Sequence, residues 1–392
     1  LKIVQGGERN EAVVKMLLAN TREPVNVGGD FSSQLAALET GALTLQRIGK
    51  RYGADRLAEA CERIQAASEA QTRAVFAEIP NGVYEFEDFV DDDGIELDRK
   101  LRINARLIVH DVSVEVDLSQ SSSQAKGPVN CTFNMTRSAV ICGALMAIGR
   151  EVPANVGCYR PISVIAPLGS VVNARHPAPV ANRMAVGHRV VNAVMGAFAQ
   201  AVPERVPASY YGVSYAYALS ANNADGSRQV YFDLECGGWG GHPDGDGANG
   251  FSCGFHNISN TPIEMIENDY PLTFLQYGLV PNSGGEGKSR GGLGLVREFR
   301  LDAPEGTFAA NLDRFKIAPY GLEGGEPGRV GQLIVRRAGS DTEENLASKV
   351  AGLNMKTGDI IRLETAGGGG HGNPKDRSKS DISDDLLEGY TT

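Results

Sequence analysis

The stretch that decides the fold is residues 101–118, Leu-Arg-Ile-Asn-Ala-Arg-Leu-Ile-Val-His-Asp-Val-Ser-Val-Glu-Val-Asp-Leu. Apolar residues recur at every second position from Leu101 to Val109 and again from Val112 to Leu118. This period is typical of strands that have one buried face. The connection between the two runs is too short for a crossover helix, so the strands are predicted to pair antiparallel.

The chain before this stretch has helical spacing instead. The first helix is predicted to begin at Asn10, the second to run from Asp30 to Gly53, and the third from Asp55 to about Ile79. The apolar residues predicted to form the buried stripe of the second helix are Leu35, Leu38, Leu45 and Ile48.

Beyond residue 118 the sequence alternates between helical and β patterns. Helices are predicted from Ser138 to Ile148 and from Gly187 to Ala201, and short β segments separated by glycine clusters follow residue 209. These patterns predict an α+β fold, in which a helical N-terminal part is followed by mainly antiparallel β-sheets with glycine-rich loops. The predicted division is a helical segment 1–80, a β-rich core 81–374 and a polar C-terminal tail 375–392.

Composition restricts the class of protein and its partners. The chain has 392 residues, of which 42% are hydrophobic and 22% charged, and this ordinary balance excludes wholesale disorder. The net charge of −10 argues against nucleic acid or an anionic membrane as the main partner, and no run of 18 apolar residues is present. The six cysteines are scattered without CxxC spacing, which disfavours a zinc ribbon and indicates a reduced, cytoplasmic compartment.

Several segments could carry chemistry. The glycine run from 284 to 294 lacks the GxxxxGK[ST] spacing of a phosphate-binding loop and is interpreted as turns, so an ATP site would lie on another chain. His242, Asp244 and Asp246 alternate in a loop that could bind a hard cation, although Asp-Gly pairs also form ordinary turns, which is the favoured interpretation. His188 and Arg189 stand at the predicted start of a helix and could bind an anion there, although a structural role is the favoured interpretation.

Ordered glycine and proline blocks resemble the hydantoinase B/oxoprolinase family. The blocks that carry the resemblance are Gly28-Gly29-Asp30, Gly127-Pro128-Val129-Asn130, Asn155-Val156-Gly157 with Arg160-Pro161-Ile162, Pro177-Ala178-Pro179-Val180, Asn260-Thr261-Pro262-Ile263-Glu264, Asn282-Ser283-Gly284-Gly285-Glu286-Gly287, Arg290-Gly291-Gly292-Leu293-Gly294 and Gly367-Gly368-Gly369-Gly370-His371-Gly372. Each block alone is weak, but their order holds across nearly the whole chain. Asn282 departs from the Asp that many members have.

The resemblance implies one subunit of an ATP-dependent enzyme that opens cyclic amides such as hydantoins, 5-oxoproline or lactams. The partner implied is a hydantoinase A-like ATP-binding subunit. A subunit of an acetone- or acetophenone-type ketone carboxylase and a non-catalytic scaffold are the alternatives. Stimulation of ATP consumption by a cyclic amide or by a ketone with bicarbonate would separate the two enzymes.

The family's divalent metal ligands belong to a segment that precedes the point where this chain begins. Because the chain also begins without Met, we expect that segment to be a separate N-terminal B-type fragment, a cleaved piece or a removed one. Metal and ATP are therefore expected to bind mainly outside this chain. The candidates for positioning substrate are taken as the polar members of loops in the matched blocks: Asn130, Asn134, Asn155, Arg160, Arg189 and Glu235.

Overall fold

The N-terminal part of the protein is helical. The computed structural model describes residues 1–149, 152–253 and 255–392. A short hairpin, β1 (Val4–Gln5) and β2 (Glu8–Arg9), comes first. The helices that follow it are α1 (Glu11–Ala19), α2 (Pro24–Tyr52) and α3 (Ala54–Phe76).

The ends of α1 and α2 test three predicted boundaries. Asn10 caps α1, where its side chain accepts a hydrogen bond from the Val13 N–H at 3.3 Å, and Gly53 ends α2 with φ +86°, so both predictions are confirmed. Asp30 is not a cap, because it lies inside α2, which begins at Pro24. Proline suits the first turn of a helix, since its φ is already helical and no N–H is needed there.

The predicted buried stripe of α2 is wrong. None of the residues of α2 is buried, and Leu38 and Leu45 are 71% and 59% exposed. The helix packs along its chain neighbours α1 and α3 and stays outside the core. Helical periodicity predicted the element correctly, but it could not predict what would cover the apolar face.

A four-stranded sheet follows the N-terminal helices. The next elements are β3 (Gly82–Val90), β4 (Leu101–His110), β5 (Ser113–Asp117), α4 (Phe133–Ile148), α5 (Val156–Tyr159), β6 (Ile162–Ile165) and α6 (Arg183–Ala201). Strands β3, β4 and β5 pair antiparallel in that order, as the alternation of residues 101–118 predicts. Strand β6 extends the sheet parallel to β5.

Helix α6 occupies the centre of the core between this sheet and α4. All residues from 185 to 199 are buried, so the helix is covered on every side. Helices α4 and α6 begin at Phe133 and Arg183, five and four residues before their predicted starts. Gly196 allows close contact with the sheet, because a Cβ there would come within 2.4 Å of the Phe86 ring.

The C-terminal half is built from two antiparallel sheets. Its elements are β7 (Tyr215–Asn222), β8 (Arg228–Glu235), α7 (Ile263–Asp269), β9 (Leu272–Leu279), β10 (Leu295–Leu301), β11 (Glu305–Asn311), β12 (Gln332–Arg336), β13 (Glu343–Asn345), β14 (Lys349–Lys356), β15 (Ile360–Glu364) and α8 (Lys379–Leu387). The strand orders are β14-β11-β7-β8 and β13-β12-β15-β10-β9. The α+β architecture is confirmed, whereas the division into three segments stays a prediction. Within the described ranges, no helix has the length and apolar character that crossing a bilayer requires.

The glycine-rich segments pack backbone against backbone. Segments 237–241, 284–294 and 366–372 have little regular secondary structure, yet they lie side by side in the interior. Their hydrogen bonds include Gly238 N–H to the Ala366 carbonyl (3.0 Å), Gly368 N–H to the Gly292 carbonyl (2.9 Å) and Gly241 N–H to the Gly369 carbonyl (2.8 Å). The interpretation of 284–294 as simple turns is therefore incomplete, because this segment is also part of a layered backbone core.

Candidate functional site

Asn130 and Asn134 lie near each other in sequence but differ in environment. Asn130 is fully buried, and its amide holds the surrounding loops by hydrogen bonds to Ala125, Gly127 and Pro179 at 2.8 to 3.0 Å. Asn134 is exposed in the first turn of α4. The side chain that can meet a ligand is therefore that of Asn134.

Asn155 and Arg160 come together against α3. The Asn155 amide nitrogen donates to Ser68 Oγ at 2.6 Å, and its oxygen caps the short helix α5. Arg160 donates to Gln65 and Glu69, each at 3.0 Å, while its side chain remains 46% exposed. Arg73 and Arg160 lower the pKa of Glu69 below its usual range. Both predicted residues thus fasten the loop around α5 to the N-terminal helices.

Arg189 lies inside α6 and not at its start. Because α6 begins at Arg183, Arg189 stands in the second turn with a completely buried side chain. Its guanidinium donates to the Phe89 carbonyl at 2.8 Å, to Asp313 Oδ2 at 2.6 Å and to the Gly212 carbonyl. The predicted anion site of His188 and Arg189 at a helix N-terminus is therefore wrong in its position.

The Arg189 guanidinium belongs to a buried network of alternating charge. Arg314 pairs with Asp88 at 2.6 Å, and Lys349 pairs with Asp313 at 3.1 Å. Burial alone would raise the pKa of Asp313, but Lys349 and Arg189 lower it below its usual range. Asp88 belongs to β3 and Asp313 follows β11, so the network joins the first sheet to the C-terminal half.

Glu235 belongs to a second group, called here the arginine cluster and formed by Asp233, Glu235, Asn260 and Arg297. Arg297 pairs with Asp233 at 2.6 Å and with Glu235 at 2.8 Å, and it donates to Asn260 Oδ1 at 2.9 Å. Its guanidinium lies 4.5 Å from the centroid of the Tyr277 ring. The cluster therefore joins the predicted residue Glu235 to the matched block that contains Asn260, through an arginine that the sequence analysis missed.

Burial makes the Glu235 carboxyl group a weaker acid than usual. Desolvation raises the pKa of Glu235 to about 7, although Arg297 and a hydrogen bond from the Tyr217 hydroxyl (2.9 Å) act in the opposite direction. A carboxyl group that titrates near neutral pH can serve either as an acid or as a base. The arginine cluster can therefore hold or release a proton at the pH of a cell.

A third group, called here the histidine cluster, consists of His188, Ser214, Cys253 and His256. The two Nε2 atoms lie 3.3 Å apart, and Ser214 Oγ lies 2.5 Å from His256 Nε2 and 3.2 Å from His188 Nε2. Cys253 Sγ lies 3.8 Å from His188 Nδ1, which also contacts the Tyr210 hydroxyl at 2.9 Å. Burial lowers the pKa of both histidines and raises that of Cys253. At neutral pH the cluster thus holds neutral imidazoles and a thiol.

The loop with His242 does not form a cation site. Asp246 accepts hydrogen bonds from both terminal nitrogens of Arg377 at 2.7 Å and from the Arg290 N–H at 2.7 Å, so its oxygens are occupied. The Asp244 side chain is 90% exposed and lies 3.8 Å from His242 Nδ1. The residues of this loop do not fit the hard divalent metal that the resemblance implies.

Sequence and structure comparisons place these features among known proteins. The model of the family hydantoinase B/oxoprolinase matches residues 1–374. The B-type component of a putative D-/L-hydantoinase of Pseudomonas sp. (strain NS671) is 34% identical over all of this chain and 67% of its own length. The crystal structure of ATP-dependent caprolactamase from Pseudomonas jessenii aligns with all of this chain and 69% of its own, at 25% identity and a TM-score of 0.92.

A nucleotide-free acetone carboxylase structure shows the same fold. It covers all of this chain and 58% of its own, at 16% identity and a TM-score of 0.85. This chain therefore spans about two thirds of the hydantoinase and caprolactamase chains that it matches.

Proposed function

Because this chain belongs to the hydantoinase B/oxoprolinase family, we propose that it is the B-type subunit, or a portion of one, of an ATP-dependent enzyme that opens a cyclic amide. The observation that carries the proposal is the similarity of the whole chain to an ATP-dependent caprolactamase, at a TM-score of 0.92. Similarity to the B-type component of a putative hydantoinase supports the same chemical class. The substrates proposed are hydantoins, 5-oxoproline and lactams.

The chemistry explains why such an enzyme uses ATP. The carbonyl of an unstrained amide is a poor electrophile, and phosphorylation of its oxygen by ATP makes the carbon more electrophilic. Water can then add to the carbon, the C–N bond breaks as the nitrogen takes up a proton, and hydrolysis of the acyl phosphate releases phosphate. A bound divalent cation would supply Lewis acidity for this chemistry. The His242 loop does not fit a hard cation, so we place the metal and the ATP mainly on polypeptide outside these 392 residues.

The residues of this chain would position the substrate. Asn134 and Arg160 are the predicted candidates with exposed side chains, and a guanidinium is suited to a carboxylate or phosphate oxygen. Glu235 can exchange a proton near neutral pH. The positioning roles of Asn130, Asn155 and Arg189 stay predictions, and the hydrogen bonds of all three are directed into the protein.

We propose that a second polypeptide covers the N-terminal helices. The large apolar side chains exposed on α2 and α3 are Val25, Leu38, Leu43, Leu45, Tyr52 and Ile64. Large apolar side chains that are exposed in number on neighbouring helices are typical of an interface. The proposed occupants are a hydantoinase A-like ATP-binding subunit and a separate N-terminal B-type fragment. The reduced, cytoplasmic location expected from the cysteines stays a prediction.

The test is reconstitution with an A-type subunit. We expect the mixture to release ADP and phosphate in a manner that depends on a hydantoin, 5-oxoproline or caprolactam, with the ring-opened product formed in step. The A-type subunit alone is the control. ATP consumption that responds to acetone with bicarbonate and not to any cyclic amide would replace the proposal with a ketone carboxylase. No response to either, despite a stable complex, would leave a scaffold role.

A further inference from the structure

We propose that the histidine cluster is a metal site, in which His188, Cys253 and His256 bind a divalent ion of the zinc class. Each of these three residues has a side chain that can bind a metal ion. Within the described part of the chain they form one group, and their potential ligand atoms lie within 4.8 Å of one another. The site is separate from the His242 loop. It does not depend on the proposed enzymatic function.

The spacing of the two imidazoles fits a tetrahedral ion. Zinc binds histidine nitrogen at about 2.0 to 2.1 Å, so two nitrogens of one tetrahedron lie about 3.3 to 3.4 Å apart. The observed distance between His188 Nε2 and His256 Nε2 is 3.3 Å. Sulfur binds zinc at about 2.3 Å, which places it about 3.5 Å from a histidine nitrogen of the same tetrahedron. Cys253 Sγ lies 3.8 Å from His188 Nδ1, so the Cys253 side chain would have to turn toward the Nε2 atoms to complete the set. Ser214 Oγ or a water would occupy the fourth position.

The surroundings orient one of the two histidines as metal sites do. A metal-bound histidine normally engages its second ring nitrogen in a hydrogen bond that fixes its orientation. Here His188 Nδ1 contacts the Tyr210 hydroxyl at 2.9 Å, which leaves Nε2 to face the centre of the cluster. His256 lacks this support, because its buried Nδ1 has no hydrogen-bond partner in the structure.

Charge and protonation are compatible with binding. A metal ion binds histidine in its neutral form and cysteine as the thiolate. Binding would deprotonate Cys253, so one ion enters, one proton leaves to solvent and the site gains one positive charge. Arg189 lies near His188, but it is paired with Asp313, so its charge is balanced within the protein.

The donor set selects the kind of metal. Two imidazole nitrogens and a thiolate suit zinc and cobalt(II), whereas magnesium and calcium require oxygen ligands. The inferred ion is therefore chemically distinct from the hard cation that an ATP-dependent reaction uses. It would tie α6 to the loop after β8 that carries Cys253 and His256.

The experiment is a metal titration of the untagged, metal-free 392-residue chain. We expect one equivalent of zinc to bind and to raise the melting temperature, and one equivalent of cobalt(II) to give tetrahedral visible bands with a thiolate charge-transfer band. Cys253→Ala should remove the charge-transfer band, and both Cys253→Ala and His256→Gln should weaken binding about tenfold or more. Magnesium should not compete.

Matched variants separate the site from other thiols and histidines. Cys158→Ala removes another buried cysteine, and His242→Ala removes the histidine of the exposed loop, and both should bind as the unaltered chain does. Near-ultraviolet circular dichroism will confirm that each variant is folded. If Cys253→Ala is unstable, His256→Gln still tests the site, because it replaces a half-buried residue. Absence of stoichiometric zinc binding, binding without the thiolate band, or loss of binding on His242→Ala would overturn the proposal.

Discussion

At the scale of single residues, Glu235 has a pKa far from its ordinary value. It is buried beside Arg297, Asp233 and the Tyr217 hydroxyl, and burial raises its pKa to about 7. The ordinary value is 4.5. The folded protein therefore binds the Glu235 proton more tightly than the unfolded chain does. This contribution to stability is complete below pH 4.5 and is lost as the pH rises through 7.

Replacing Glu235 by Gln should remove this pH dependence. We expect the stability of the unaltered protein relative to Glu235→Gln to fall by up to about 3 kcal/mol between pH 5 and pH 8. Urea unfolding of both proteins at the two pH values measures the difference. Glu264→Gln, at an exposed position, is the control and should show no such trend. A difference that stays constant or grows with pH would contradict the prediction.

At the residue scale, the sequence indicated individual members of the buried clusters but not the residues that surround them. Glu235 and the block that contains Asn260 could be selected from local sequence, but Arg297, which joins them from β10, could not. In the same way, His188 was considered for an anion site, while Cys253 and His256 were not considered. Local patterns report the neighbours of a residue along the chain, and these contacts cross long sequence separations.

At the scale of elements, α2 and α6 show the limit of hydrophobic periodicity. Both helices were predicted, yet α6 is buried on all sides and α2 has no buried residue. The difference lies in their neighbours, because α6 packs between α4 and a sheet, whereas α2 packs mainly along other N-terminal helices. An apolar stripe thus predicts a helix without predicting whether the rest of the same chain covers the apolar face.

Polar substitutions on α2 should therefore leave the stability of the isolated chain unchanged while they weaken its assembly with a partner. We expect Leu38→Gln with Leu45→Gln to change the stability of the isolated chain by no more than about 0.5 kcal/mol, because both side chains are exposed and Gln keeps the helical propensity of Leu. Leu107→Ala, in the buried face of β4, should cost about 2 to 5 kcal/mol. Thermal unfolding measures both effects.

The same double variant should weaken binding to the proposed partner. The two substitutions reduce the apolar area that the complex can remove from water. The affinity for the partner, measured by calorimetry, should therefore fall. Undiminished binding by a folded double variant would move the interface elsewhere on the molecule. A large loss of stability in the isolated chain would instead mean that α2 is covered within this polypeptide.

At the scale of the whole molecule, strand alternation and glycine blocks differ in how far they predict structure. Alternation in residues 101–118 predicted the antiparallel strands because pairing there is between neighbours in sequence. The parallel addition of β6 beside β5 could not be read from that pattern, since about 45 residues intervene. The glycine blocks showed that backbones approach closely, but not which blocks meet.

A single substitution in those glycine blocks can test the layered backbone core directly. A Cβ at Gly238 would lie 1.8 Å from the Gly292 carbonyl oxygen, and that oxygen already accepts a hydrogen bond from Gly368. The backbone at Gly238 does not have the positive φ that disfavours other residues, so the effect of Gly238→Ala comes from the clash alone. Because the clashing atom is backbone, no side-chain rotation can relieve it.

We therefore expect Gly238→Ala to destabilise the protein by more than about 4 kcal/mol or to prevent folding. Gly245→Ala is the matched control, since its Cβ would meet no atom within 4 Å and its φ is also not positive. Soluble yield and melting temperature distinguish the two variants, and the control should melt within about 2 °C of the unaltered chain. A Gly238→Ala protein that melts equally close to it would mean that segments 237–241 and 284–294 can separate without cost, and that the glycine blocks are flexible connections after all.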